Sequence, residues 1–116
     1  MRNSLFALPI LTLLMGCEAY TTSPIERAVA APKMRDYGCT SCHVIPGVAG
    51  AAAAVSPPLN RMGNRTTIAG VTSNTPENLM LWIQHPQQIH PRSAMPEMHV
   101  TSDDARTIAL YLETLH

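Results

Sequence analysis

Five consecutive residues constrain this chain more than any others: Cys39-Thr40-Ser41-Cys42-His43. Two thiols three positions apart, with an imidazole directly after the second, admit three chemistries. A thioredoxin-like dithiol requires a βαβ setting, and no Val/Ile-rich strand pattern flanks this site. A zinc site requires a fourth ligand at matching spacing, and no cysteine follows Cys42. The third reading is covalent haem attachment, in which each thiol adds across a vinyl group and the adjacent imidazole reaches the iron.

The rest of the composition fits a chain folded around a guest. Of 116 residues only 4% are aromatic and 14% charged, against 10 prolines and 6 glycines, so side chains alone supply a thin, turn-rich core. A single small domain of that kind needs a staple or a large apolar group at its centre, and a covalently held macrocycle serves. Net charge is zero, and loss of residues 1–16 would remove Arg2 and no acid. No basic stripe exists to neutralise phosphates, so nucleic acid is not expected as a partner.

The N-terminus reads as an export signal. Arg2 precedes the apolar run from Leu5 to Met15, which is too short to span a bilayer comfortably. The run ends in Leu14-Met15-Gly16-Cys17, which resembles a bacterial lipobox, where cleavage before the cysteine exposes it for lipid attachment. The expected division is a signal peptide over 1–16, a tether over 17–24 beginning at lipidated Cys17, and one domain over 25–116. The plainer alternative is an ordinary signal peptide with Cys17 incidental. With Cys17 taking lipid and Cys39 and Cys42 taking haem, no disulfide is needed. The expected location is a membrane surface facing the periplasm of a Gram-negative bacterium.

Along the domain, residues 25–37 predict a short helix, with Glu26 near its start and Gly38 as a stop. Pro32 opens a second possibility, that the helix proper begins there as a first-turn residue. Residues 44–65 are rich in Gly, Ala and Pro and read as a loop. Thr75-Pro76-Glu77 combines an N-cap hydroxyl, a first-turn proline and an acid at the positive end of the helix dipole. Leu79, Trp82 and Ile83 share a face of that helix, and Pro86 stops it. Pro86, Pro91 and Pro96 predict an extended loop over 85–98. Thr101 to Asp104 reads as a capping box opening a last helix, with Ala105, Ile108, Leu112 and Leu115 in one stripe and Tyr111 beside it. No strand is expected, and the fold class is all-α.

This order of elements resembles class I, monohaem cytochrome c over roughly residues 25–116. The resemblance implies three to four helices wrapped around one covalent haem. It makes His43 the proximal iron ligand and Met95, in Ser93-Ala94-Met95-Pro96, the distal one. It places the Pro57 carbonyl on the imidazole N–H, Arg65 near a haem propionate and Trp82 against the macrocycle. Met98, three residues beyond Met95, stays open as the sixth ligand, and His85, His90 and His99 lie nearby. Residues 66–96 are especially similar to the cytochrome domain fused to subunit II of some bacterial haem-copper oxidases. Two positions depart from the family pattern: Ser56 stands where glycine usually precedes the proline, and Arg35 stands where an apolar residue usually packs. The first helix is then expected to dock through Met34 and Tyr37.

The implied role is a one-electron carrier and not an enzyme. Its expected donor is a quinol:cytochrome c reductase or a dehydrogenase, and its expected acceptor a terminal oxidase. Full ligation by imidazole and thioether changes little between oxidation states, and the thioether favours ferrous iron. Two alternatives remain. A haem-based gas-binding or sensing module requires an open sixth position, against which the Ser-Ala-Met-Pro element speaks. A permanently bound haem subunit of an oxidoreductase complex is compatible with every residue above.

Overall fold

The computed structural model describes residues 24–50 and 55–116. The expected signal peptide, Cys17 and nearly all of the expected tether lie outside the described residues. Among the described residues four helices form: α1 (Pro24–Asp36), α2 (Pro76–Gln84), α3 (Pro86–Ile89) and α4 (Ser102–Glu113). Two short 3₁₀ turns join them, Cys39–Ser41 and Met62–Asn64. Among the described residues no helix is long and apolar enough to cross a membrane.

Helix α1 runs unbroken through Pro32, so the division considered at that residue does not occur. Proline removes one backbone donor, and the carbonyl left without it belongs to Ala28, four residues back. Both residues are exposed, so water can serve that carbonyl. The inner face of α1 buries Ala30, Ala31 and Met34. Arg35 is exposed, while Tyr37 is partly buried and packs on the core. The first helix therefore docks through Met34 and Tyr37, and Arg35 turns to solvent.

Helix α4 packs against both α1 and α2 and forms the spine of the domain. Its cap forms as the sequence predicts, with Thr101 Oγ1 accepting from the Asp104 amide at 3.2 Å. The Asp104 carboxylate itself reaches across to α1. It accepts from Lys33 Nζ at 2.5 Å and from the Tyr37 hydroxyl at 2.7 Å. Ala105, Ile108, Tyr111, Leu112 and Leu115 are all buried, and the Tyr111 hydroxyl donates to the Pro46 carbonyl at 2.6 Å. That bond pins the Ile45–Val48 turn to the spine.

Helix α2 begins with Thr75 Oγ1 accepting from the Asn78 amide and with Pro76 in the first turn. It ends at Gln84, and Pro86 does not lead straight into extended chain: it opens the single turn α3. The reason is the same one that places Pro76, since a first-turn proline loses no helical hydrogen bond. A second departure is a two-rung antiparallel hairpin, β1 (Thr67–Ile68) with β2 (Thr72–Ser73), pairing Thr67 with Ser73 and Ile68 with Thr72. Its turn passes through Ala69 and Gly70 at positive φ and closes by the Val71 amide donating to the Ile68 carbonyl at 3.0 Å. Two-residue strands leave the class all-α.

Candidate functional site

The buried apolar residues surround a cavity of about 580 Å³ that opens to the surface. Met34 of α1, Leu79 and Ile83 of α2, and Ile108 and Leu112 of α4 form much of its apolar wall, with Ile68 of the hairpin closing another side. The residues that the family resemblance assigns to the haem all line it: Cys39, Cys42, His43, Pro57, Arg65, Trp82 and Met95, whereas His85, which pairs with Glu97, and His99 do not. Met98 and His90 line it too, as does Arg92.

The attachment pentapeptide enters from the end of α1. Gly38 sits at φ 79°, a left-handed conformation that ends the helix without steric cost, and its carbonyl accepts from the Ser41 amide at 3.0 Å. The next residues wind into the 3₁₀ turn, with the Cys42 and His43 amides both donating to the Cys39 carbonyl. Cys39 and Cys42 form no disulfide, and burial pushes Cys39, as a thiol, above its ordinary range, with Cys42 adding to the effect.

Opposite this turn, residues 56–59 run beside residues 42–44. The Ser56 amide donates to the Cys42 carbonyl at 3.2 Å, and the Leu59 amide to the Val44 carbonyl at 2.9 Å. This pairing brings the Pro57 carbonyl oxygen within 2.7 Å of His43 Nδ1. A carbonyl can only accept, so Nδ1 carries the proton and Nε2 presents its lone pair. Ser56 in the usual glycine position does not disturb this arrangement.

Arg65 is held by the same loop. Its Nη2 donates to the carbonyls of Pro58 at 2.6 Å and Asn60 at 3.0 Å. Asn74, which the sequence did not single out, braces the turn beneath it by donating to the carbonyls of Met62 and Arg65 at 2.8 and 2.9 Å.

On the far wall the Met95 backbone is fixed at both polar groups. Its carbonyl accepts from Gln87 Nε2 at 2.6 Å, and its amide donates to Ser93 Oγ at 3.2 Å. Gln87 sits in α3, the turn that the proline pattern hid, and nothing in the sequence marked it. Met98 has a different setting. Its Cε lies 3.6 Å from the position a Cβ would take on Gly38, so this side chain packs on the attachment turn.

A large apolar cavity, two thiols on one wall and an imidazole whose Nε2 is available for a metal together fit a covalently bound iron porphyrin. The cytochrome c family model matches residues 28–116. The chain belongs to the cytochrome c family. It is a class I cytochrome c, and its cofactor is c-type haem held covalently through Cys39 and Cys42. Cytochrome c proteins of this kind transfer electrons by means of the haem.

Two curated relatives bear the description cytochrome c oxidase subunit 2. One, from Alkalihalophilus pseudofirmus, is 33% identical over 103 residues, covering 86% of this chain and 29% of the relative. The other, from Bacillus subtilis, is 35% identical over 79 residues, covering 66% of this chain and 22% of the relative. This cytochrome c thus spans less than a third of the length of either.

Proposed function

We propose that this cytochrome c is a membrane-tethered one-electron carrier whose haem iron is held by His43 on one face and Met95 on the other. The observation that supports the reading is the hydrogen bond from His43 Nδ1 to the Pro57 carbonyl, which leaves the Nε2 lone pair free to bind a metal, in a cavity that both His43 and Met95 line. The haem supplies a centre that takes up and releases a single electron. The protein's part is to bind, orient and exclude water. Pro57 sets the imidazole tautomer and its donor strength. Gln87 and Ser93 fix the loop that presents the thioether, so little has to move between oxidation states. The apolar walls favour the less charged ferrous state and raise the potential. Trp82 and Arg65 line the same cavity, where Trp82 would pack against the macrocycle and Arg65 would take a propionate. Met95 is preferred over Met98 because Met98 is engaged against Gly38.

Removal of residues 1–16 and lipid attachment at Cys17 leave residues 17–24 as a tether to a membrane facing the periplasm of a Gram-negative bacterium. Loss of detergent-phase partitioning in Cys17→Ser tests the anchor; continued partitioning of the variant refutes it.

The acceptor is a terminal haem-copper oxidase, supplied through this protein by a quinol:cytochrome c reductase or a dehydrogenase. Support comes from the two relatives described as oxidase subunit 2. Stopped-flow mixing of the reduced protein with purified oxidase tests it, with rapid, ionic-strength-dependent reoxidation expected and slow reoxidation by oxygen alone as the contrary result. The same relatives favour a second reading, a permanent haem subunit of the oxidase. Co-purification in mild detergent that survives dilution would support that reading over a transient encounter.

A further inference from the structure

The cavity wall has an uneven charge. Among the described residues that line it are Arg65, Arg92, His43 and His90, with no Asp or Glu. A purely apolar guest gives no reason for two arginines at a cavity whose lining is otherwise mostly apolar, with only small hydroxyls and thiols besides the histidines. Haem carries two carboxylates, and an unpaired carboxylate at a partly dry site is costly. The proposed function uses one cation, Arg65, and one of that residue's terminal nitrogens is already committed to the carbonyls of Pro58 and Asn60. A second carboxylate needs a second set of donors.

The turn ahead of Met95 supplies one. The Ser93 amide donates to the His90 carbonyl at 2.8 Å, closing a turn through Pro91 and Arg92. Within it the Arg92 amide donates to His90 Nδ1 at 3.2 Å. A ring nitrogen that accepts this bond carries no proton, so the neutral ring has its proton on Nε2 and is a donor there. This assignment also sets His90 apart from His43: His43 offers a lone pair at Nε2, and His90 offers an N–H. Proline at 91 restricts the turn, so half-buried His90 and exposed Arg92 both line the rim of the cavity from one short rigid segment.

Resting on the assignment of haem to this cavity, we infer that His90 and Arg92 form a second carboxylate-binding wall, receiving a haem propionate that Arg65 does not. The pair compensates a negative charge near the iron and so helps to set the potential. Neither residue is an iron ligand in this arrangement.

The test uses the full-length holoprotein in wild-type form and as Arg92→Gln, His90→Phe, Arg65→Gln and Arg106→Gln. Arg106 lies on α4 and lines the groove between α2 and α4, not this cavity, and its variant has the same change in charge as Arg92→Gln. Intact mass and the visible spectrum first establish that haem is attached and ligated as in the wild type. A protein without haem would refute the assignment of the cavity, a failure distinct from that of the present inference. With haem in place, Arg92→Gln and His90→Phe should each lower the midpoint potential and shift the propionate bending mode in resonance Raman spectra. Arg106→Gln should leave that mode in place and move the potential less. The inference is overturned if the mode stays unchanged in both His90 and Arg92 variants while Arg65→Gln shifts it, or if Arg92→Gln and Arg106→Gln change the potential equally.

Discussion

His43 Nδ1 and the carbonyl oxygen of Pro57 stand 2.7 Å apart although 14 residues separate them in the chain. The bond gives the imidazole partial anionic character, which stabilises ferric iron. Pro57→Gly keeps the carbonyl but frees the backbone that aims it. The variant should retain covalent haem and its visible spectrum while its midpoint potential rises. Protein-film voltammetry reads this directly, and an unchanged potential would mean that the bond does no tuning.

The two methionines at the cavity separate by spectrum and by stability. Met95→Ala should abolish the weak near-infrared band of methionine-ligated ferric haem and allow the reduced protein to bind carbon monoxide rapidly. Met98→Ala should keep the band and cost about 2–3 kcal/mol of stability, the scale for truncating a packed methionine. Reversed spectra would exchange the two roles.

Gly63 makes a close approach that no other residue can make. Its amide donates to the Leu115 carbonyl at 2.9 Å, and a Cβ placed on it would fall 2.1 Å from the Glu113 carbonyl oxygen at the end of α4. Backbone cannot move aside cheaply, so Gly63→Ala should destabilise the holoprotein by about 1–3 kcal/mol in chemical denaturation. The haem spectrum should be unchanged.

The tie between α1 and α4 predicts an acid limb of stability. Lys33, and after it Tyr37, hydrogen-bond the ionised Asp104 carboxylate and hold its pKa below the ordinary 3.8. The unfolded chain therefore takes up this proton first as pH falls. The stabilisation is complete above pH 3.8 and is lost as pH drops through the lower folded value. The same bond holds Lys33 above 10.5, so its share is lost only as pH rises beyond that value. Asp104→Asn should be less stable at neutral pH, and its stability should fall less steeply below pH 3.8 than that of the wild type. Parallel acid limbs in denaturant titrations would contradict the assignment.

The features legible in the sequence were those with local causes. Thr75 and Thr101 announce their helices because a cap needs only a hydroxyl two or three residues from an amide. The stripe on α4 is visible because burial follows helical period. Met34 and Tyr37 could be named as docking residues once Arg35 was seen to be unsuited to a core. What the sequence hid depends on contacts far along the chain or on elements too short to carry a period. Two-residue strands at Thr67 and Thr72 show no alternation. Helix α3 is a single turn started by a proline that the pattern reads as a stop. Gln87 and Asn74 look like ordinary surface amides until the fold brings them to the carbonyls of Met95, Met62 and Arg65. Arg92 belongs to the same class, and of the three histidines the sequence places near the methionines only the tertiary structure singles out His90 for the cavity wall.

The central claim is one iron porphyrin bonded to Cys39 and Cys42 and ligated by His43. Intact mass together with a pyridine haemochrome spectrum, on full-length protein expressed with cytochrome maturation machinery, tests it most directly. The account predicts the added mass of a single haem and a haemochrome of the two-thioether type, both lost in Cys39→Ala/Cys42→Ala. A colourless protein of unmodified polypeptide mass would contradict it.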